Sequence, residues 1–135
     1  MSGRPAVLGR PVPRRDGPDK VTGRTRYLHD LVLPRMLHGK ILRAKYPHAR
    51  IVRLDTRRAR ALPGVAAVIT ADDVVQHPFG FARDHPALKR GKVRSIRDEV
   101  AAVAAETPAI AEEAARLIEV EYEPLPGVFS PEDAL

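Results

Sequence analysis

The sequence has no cysteine and no tryptophan. That excludes a disulfide scaffold, a thiolate zinc or iron–sulfur site, and a cysteine nucleophile. Aromatic residues are only 4% of the chain, so large packing anchors are scarce. No apolar run approaches the roughly 18 residues a membrane helix needs, which excludes a transmembrane span as a reading. The first residues carry charge but no apolar run, so neither a secretory nor a twin-arginine signal is legible. A cytoplasmic location and no membrane partner are the expectation.

Catalytic signatures are also missing. There is no GxxxxGK[ST], no GxGxxG after a strand, no HExxH and no EF-hand loop. Ser2, Ser95 and Ser130 are the only serines, and none sits in a nucleophile elbow. Of the histidines, His77 and His85 share one loop with Asp84 between them, and they read as solvated loop residues rather than metal ligands. Asp72-Asp73 and Asp98-Glu99 are adjacent pairs, and neighbours on a strand point to opposite faces, so neither pair can flank one bond. Glu112 and Glu113 read as the wet face of a helix. No catalytic, cofactor-binding or metal residue is assigned.

What is present is one domain's worth of chain, 135 residues and 14.9 kDa. Apolar residues make up 44%, but 19 of them are alanine. Leu, Ile, Val and Phe together are 35 of 135, enough to fold but thin as a core. A thin core in a short chain suits a piece that folds against a neighbour. Charge is lopsided: residues 1–60 carry net +12 and residues 61–135 net −6. Either the surface awaits a charged partner, or the two halves face each other. Of 23 cations 18 are arginine, which suits carboxylate and phosphate partners, although a GC-rich coding bias explains it equally well.

Residues 1–23 are rich in glycine and proline, without apolar period, and read as an extended arm rather than a helix. Strands are predicted over residues 36–43, 50–55, 65–70, 92–97, 100–105 and 118–122. Those over 65–70 and 100–105 are continuous apolar runs and so are expected to be buried. A short helix is expected from Asp55 or Thr56 to Leu62, with Ala59 and Leu62 inward and Pro63-Gly64 as its stop. A single helical turn is expected over 71–74. Residues 76–91 form a long loop of the kind that is usually functional. Thr107 as N-cap and Pro108 at the first helical position open the clearest helix. Its inward stripe is Ile110, Ala114 and Leu117, widened by Ala111 and Ile118. Residues 128–135 read as a tail. The order gives an α+β class.

The basic run Arg50, Arg53, Arg57, Arg58 and Arg60 could contact phosphates. The aromatics do not interleave with it to form a stacking platform, so nucleic-acid binding is the weaker reading.

Several segments together carry a resemblance: the series from Gly9 to Gly23 (GRPVPRRDGPDKVTG), then Leu33-Pro34-Arg35-Met36-Leu37-His38-Gly39, Pro47-His48-Ala49-Arg50-Ile51, and Ala61-Leu62-Pro63-Gly64-Val65. They continue through Val68 to Val74, Glu99 to Thr107 and Ile118 to Pro126. The ordered series resembles the start of the molybdenum-binding large subunit of the xanthine dehydrogenase, aldehyde oxidase and carbon monoxide dehydrogenase family. The resemblance implies an extended arm at residues 1–23 and an α/β-hammerhead domain at 24–135, a mixed β-sheet with two short helices. It implies an N-terminal structural or docking domain, not catalytic alone, of an oxidoreductase that hydroxylates aldehydes, N-heterocycles or related small molecules. The molybdenum–pterin, iron–sulfur clusters and FAD of such a holoenzyme would sit in the remaining molybdenum-binding domains and in iron–sulfur and flavin subunits. None would be bound by this chain. Arg14, Asp16 and Lys20 are candidates for anchoring the arm. Two departures stand out. Ala44-Lys45 replaces a common Ser-Pro, and Arg97 stands where relatives commonly have glycine. Arg97 therefore either points to solvent or fills space against a partner. A freestanding interaction module of the same fold, or a basic nucleic-acid binder, are the alternatives.

Overall fold

The computed structural model describes residues 9, 11–75 and 77–135. The chain divides into two compact units, Met1–Pro34 and Arg35–Leu135. The first unit takes in residues 24–34 as well as the segment read as an arm.

That segment is not wholly extended. A short helix, α1 (Gly17–Val21), forms inside it. Pro18 sits in its first turn, where a missing N–H costs nothing, and Lys20 reaches back to Asp16 at 2.8 Å. Turn formers that argued against a helix are here its start. A single 3₁₀ turn follows at Leu28–Asp30, with the Asp30 carboxylate accepting from the Tyr27 N–H at 2.8 Å. No described residue of this unit is buried.

The second unit is α+β. Its strands are β1 (His38–Arg43), β2 (Ala49–Asp55), β3 (Val65–Thr70), β4 (Lys92–Val93), β5 (Glu99–Ala105) and β6 (Glu119–Pro124). Its helices are α2 (Arg57–Arg60), α3 (Pro108–Leu117) and α4 (Pro131–Ala134). The single mixed sheet of the expectation resolves into two three-stranded sheets, ordered β1-β5-β3 and β4-β2-β6, with every named pair antiparallel.

Burial follows position in the sheet rather than hydropathy alone. β5 is the middle strand, and its run is buried as expected. β3 is an equally apolar run but lies at an edge, so only Val68 and Thr70 are buried. The residues 71–74 make a turn, not a helix: Asp73 Oδ2 accepts from both the Thr70 N–H and its hydroxyl at 2.8 Å. Strand β4 stops at Val93 because the next residues turn sharply. The tail is capped by Ser130 into the short α4.

Helix α3 is the best-specified element. The Thr107 hydroxyl accepts from the Ile110 N–H at 3.2 Å, a cap worth about 1 kcal/mol. Its buried face is Ala111, Ala114 and Ala115, completed by Ile118, with Ile110 and Leu117 at the flanks. Opposite lie Ala101 and Val103 of β5, Val68 of β3 and Ala59 of α2. Gly64, at a φ of 83°, leads into β3 beside this helix. A Cβ there would stand 2.8 Å from the Ile110 side chain.

A second cluster joins Ala44, Ala49, Val93 and Val100, with Tyr46 and Tyr122 edge-to-face at 5.5 Å. The two clusters meet in β5 through an irregularity. Leu42 pairs with Ala101 and Arg43 with Glu99, so Val100 is the extra residue of a bulge. Strict alternation would bury only one of Val100 and Ala101. The bulge lets both be fully buried, Val100 in the second cluster and Ala101 in the first.

Ala101→Leu tests the small-residue contact. It is expected to lower stability by about 1–3 kcal/mol through overpacking, read as a reduced urea midpoint with the slope unchanged.

Candidate docking interface

The basic run resolves first. Arg50 pairs with Glu123 at 3.4 Å, Arg58 with Glu119 at 2.9 Å and Arg60 with Asp73 at 3.4 Å. Arg53 and Arg57 close on Asp55 at 2.9 and 2.6 Å. Hydrogen bonds from the Arg57 side chain and backbone, with help from Arg53, hold the Asp55 carboxyl far below the usual carboxylate range. Every arginine of the run is thus spoken for. Antiparallel pairing of β2 with β6 sets the positive half of the chain against the negative half. The charge asymmetry is used internally, and the phosphate-binding reading loses its residues.

A second group of charges sits under the long loop. Phe79 and His85 bridge to each other, and their rings stack edge-to-face at 5.3 Å. Lys89 is buried, and its ammonium donates to the Pro86 carbonyl and to His85 Nδ1, both at 3.2 Å. An ammonium can only donate, so Nδ1 accepts and the ring proton sits on Nε2, 3.5 Å from Glu99 Oε2. Glu99 also takes a hydrogen bond from Arg43 at 2.8 Å. Arg43 further donates to the Arg97 carbonyl. Buried Asp98 lies 3.9 Å from the Lys89 ammonium and accepts from the Arg94 N–H at 2.7 Å. His85 is exposed, as expected of a loop residue, and it also clamps the loop through these contacts. Burial pushes the Glu99 carboxyl up. Its own backbone N–H, the hydrogen bond and charge of Arg43 and the nearby His85 outweigh that and hold it below its ordinary value of 4.5.

The third feature is a groove. It lies between the turn before β2 (Pro47, His48), the turn after β4 (Arg94, Ser95, Ile96) and the segment after β6 (Pro126 to Phe129). The His48 Nδ1–H donates to the Pro126 carbonyl and pins the two sides together. Ile96, Val128 and Phe129 stand exposed along it.

Of the four residues expected at an interface, three come together. Asp16 holds Arg14 at 2.5 Å and Lys20 at 2.8 Å, and these two hydrogen bonds lower its carboxyl pKa. They satisfy one another on the surface of the first unit. Arg97 belongs to the second unit, with its side chain in solvent on the turn beside the groove. The groove itself was not anticipated. Ile96 in a polar turn and Val128-Phe129 in a polar tail were the available signals.

Among the described residues no three His, Cys, Asp or Glu side chains come together to hold a metal ion. The groove is mostly apolar, with Arg94 its one permanently charged lining residue. No described helix is long and apolar enough to cross a membrane.

Two sheets, a small-residue helix contact and an exposed basic-apolar groove define an α+β module. Residues 22–126 match the family described as "Aldehyde oxidase and xanthine dehydrogenase, a/b hammerhead domain", and the chain belongs to that family. It is 50% identical over 124 residues to a probable xanthine dehydrogenase subunit of Bacillus subtilis (strain 168), covering 90% of this chain and 17% of that one. It is 41% identical over 131 residues to the nicotinate dehydrogenase large molybdopterin subunit of Eubacterium barkeri, covering 96% of this chain and 31% of the relative. The solved structure of reconstituted CO dehydrogenase from Oligotropha carboxidovorans superposes with a TM-score of 0.84 at 37% identity, over 92% of this chain and 16% of that one. Quinoline 2-oxidoreductase from Pseudomonas putida 86 gives 0.81 at 44% identity, over 91% and 17%. The chain therefore spans between about a sixth and a third of the length of these relatives.

Two outcomes follow. Random duplex DNA is expected to give no salt-sensitive mobility shift, because the arginine run is neutralised. Glu99, with its lowered pKa, contributes stability above about pH 4.5 that is lost as the pH falls through the folded value. The melting temperature of Glu99→Gln is therefore expected to depend less on pH below that point than that of the native chain.

Proposed function

We propose that this chain is the N-terminal structural and docking domain of a molybdenum hydroxylase large subunit, inactive by itself. One observation carries the reading. The chain matches its relatives over nine-tenths or more of its own length but only 16–31% of theirs. The remainder of such a subunit would hold the molybdenum–pterin group, which supplies hydroxylation of a carbon in an aldehyde, N-heterocycle or related small molecule. Relatives named for nicotinate and quinoline, and for aldehydes, support that substrate class. Iron–sulfur and flavin subunits would carry electrons away, in the cytoplasm. The work of this domain is to hold neighbours in place, through the groove of the second unit and the exposed apolar residues of the first.

In the first unit Val21, Leu28 and Val32 are each at least 80% exposed, and nothing there is buried. Such side chains gain by being covered. Arg14, Asp16 and Lys20 fix the turn of α1 and anchor the arm.

The test is purification of the native polypeptide with its intact mass, co-purifying chains and molybdenum content. Molybdenum with a long chain or a partner supports the reading. A lone 15 kDa chain without either replaces it with a freestanding interaction module. Deleting residues 1–20 is expected to strip partner domains or subunits from the complex on gel filtration. Unchanged assembly would remove the role given to the arm.

A further inference from the structure

The groove of the second unit has a feature that general stickiness does not explain. Arg43, Arg50, Arg53, Arg57, Arg58, Arg60, Arg90 and Arg116 all pair with carboxylates. Arg94 and Arg97 share the single turn after β4 and, like the isolated Arg35 and Arg83, have no acidic partner among the described residues. Yet the turn that carries them is fixed. The Arg94 N–H is held by the Asp98 carboxylate, the Arg97 N–H by the Ser95 hydroxyl at 3.1 Å, and the Arg97 carbonyl by Arg43. Two guanidinium groups are thus presented from a rigid backbone without a counter-charge.

Beside them stand three uncovered apolar side chains. Ile96 is 59% exposed, Val128 60% and Phe129 79%. The Phe129 ring lies against the bare backbone of Gly127, where a Cβ would come within 2.7 Å of the ring. A glycine at that position therefore sets the wall of the groove. No carboxylate lines the groove.

We propose that this groove binds an extended protein segment carrying an aliphatic or aromatic anchor next to a carboxylate. The anchor fills the space between Ile96 and Phe129, and the carboxylate meets the forks of Arg94 and Arg97. The open ends and the three walls of backbone turns suit a chain in transit rather than an enclosed small molecule. The inference rests on the docking reading above and makes it specific: it names the surface and the chemistry of its partner.

The test uses the native complex, accepted as such by its molybdenum content and partner chains. Phe129 is replaced by the photo-crosslinker p-benzoylphenylalanine, the complex is irradiated, and linked peptides are mapped by mass spectrometry. One linked segment with an Asp or Glu adjoining an apolar residue is expected. Arg94→Glu should then weaken assembly about tenfold at low salt, and replacing the mapped carboxylate by lysine should restore it. Gly127→Ala, which displaces the Phe129 ring without touching either buried cluster, should abolish the crosslink while the melting temperature holds. A molybdenum-containing complex that yields no crosslink overturns the groove alone. So does a linked segment without a carboxylate, a link to a second copy of this chain, or a link to lipid or nucleotide. A preparation with neither molybdenum nor partner overturns both readings.

Discussion

The structure depends on the close approach of helix α3 to strand β5, made possible by alanine on both sides. Ala111, Ala114 and Ala115 face Ala101 and Val103, and no aromatic ring enters that cluster. Small side chains let backbones approach, and dispersion between many close atoms replaces the area that large residues would bury. The cost is a core with little surplus. Val21, Leu28 and Val32 of the first unit, and Ile96, Val128 and Phe129 along the groove, remain exposed. A low aromatic content and a surface made for neighbours are two sides of one composition.

Electrostatics do the second part of the work. Arginines of β2 and α2 meet glutamates of β6 and Asp73 across the sheet and the adjoining turn. Each exposed pair is worth little alone. Together they favour a basic strand beside an acidic one, with Arg50 opposite Glu123 and Arg53 opposite Glu121. The turn after β4 sets two cations outside this pairing, Arg94 and Arg97, beside exposed apolar side chains.

Much of this was legible in the sequence, and its limits have physical reasons. Thr107-Pro108 announced α3 because capping is local chemistry. Inward Ala111 and Ala114 followed from helical period, whereas buried Ala115 lay outside the expected stripe. β3 and β5 look alike as apolar runs, and only the sheet order makes one an edge and the other a centre. The bulge at Val100 has no local signature, so the burial of Val100 and Ala101 in separate clusters could not be read. Among the expected interface residues, Arg14, Asp16 and Lys20 do converge: Lys20 meets Asp16 across one helical turn, and Arg14 folds onto it from two residues before. The Lys89 and Asp98 contact was invisible because polar residues in a loop signal solvent, and burial came from the clamp of His85 and Glu99.

The order of strands also fixes when the fold can exist. β1 and β3 do not pair with each other; each pairs with β5 between them. β2 has its long pairing with β6, which follows β5 in the chain. A ribosome that has released everything up to residue 98 has therefore made the two edges of the first sheet without its middle, and the second sheet without β6. Both sheets close only when the final third of this sequence emerges. Contacts of this separation fold slowly and leave apolar strands waiting. Lys40, Arg43, Arg50 and Arg53 interrupt the apolar residues of β1 and β2 with charge during that wait.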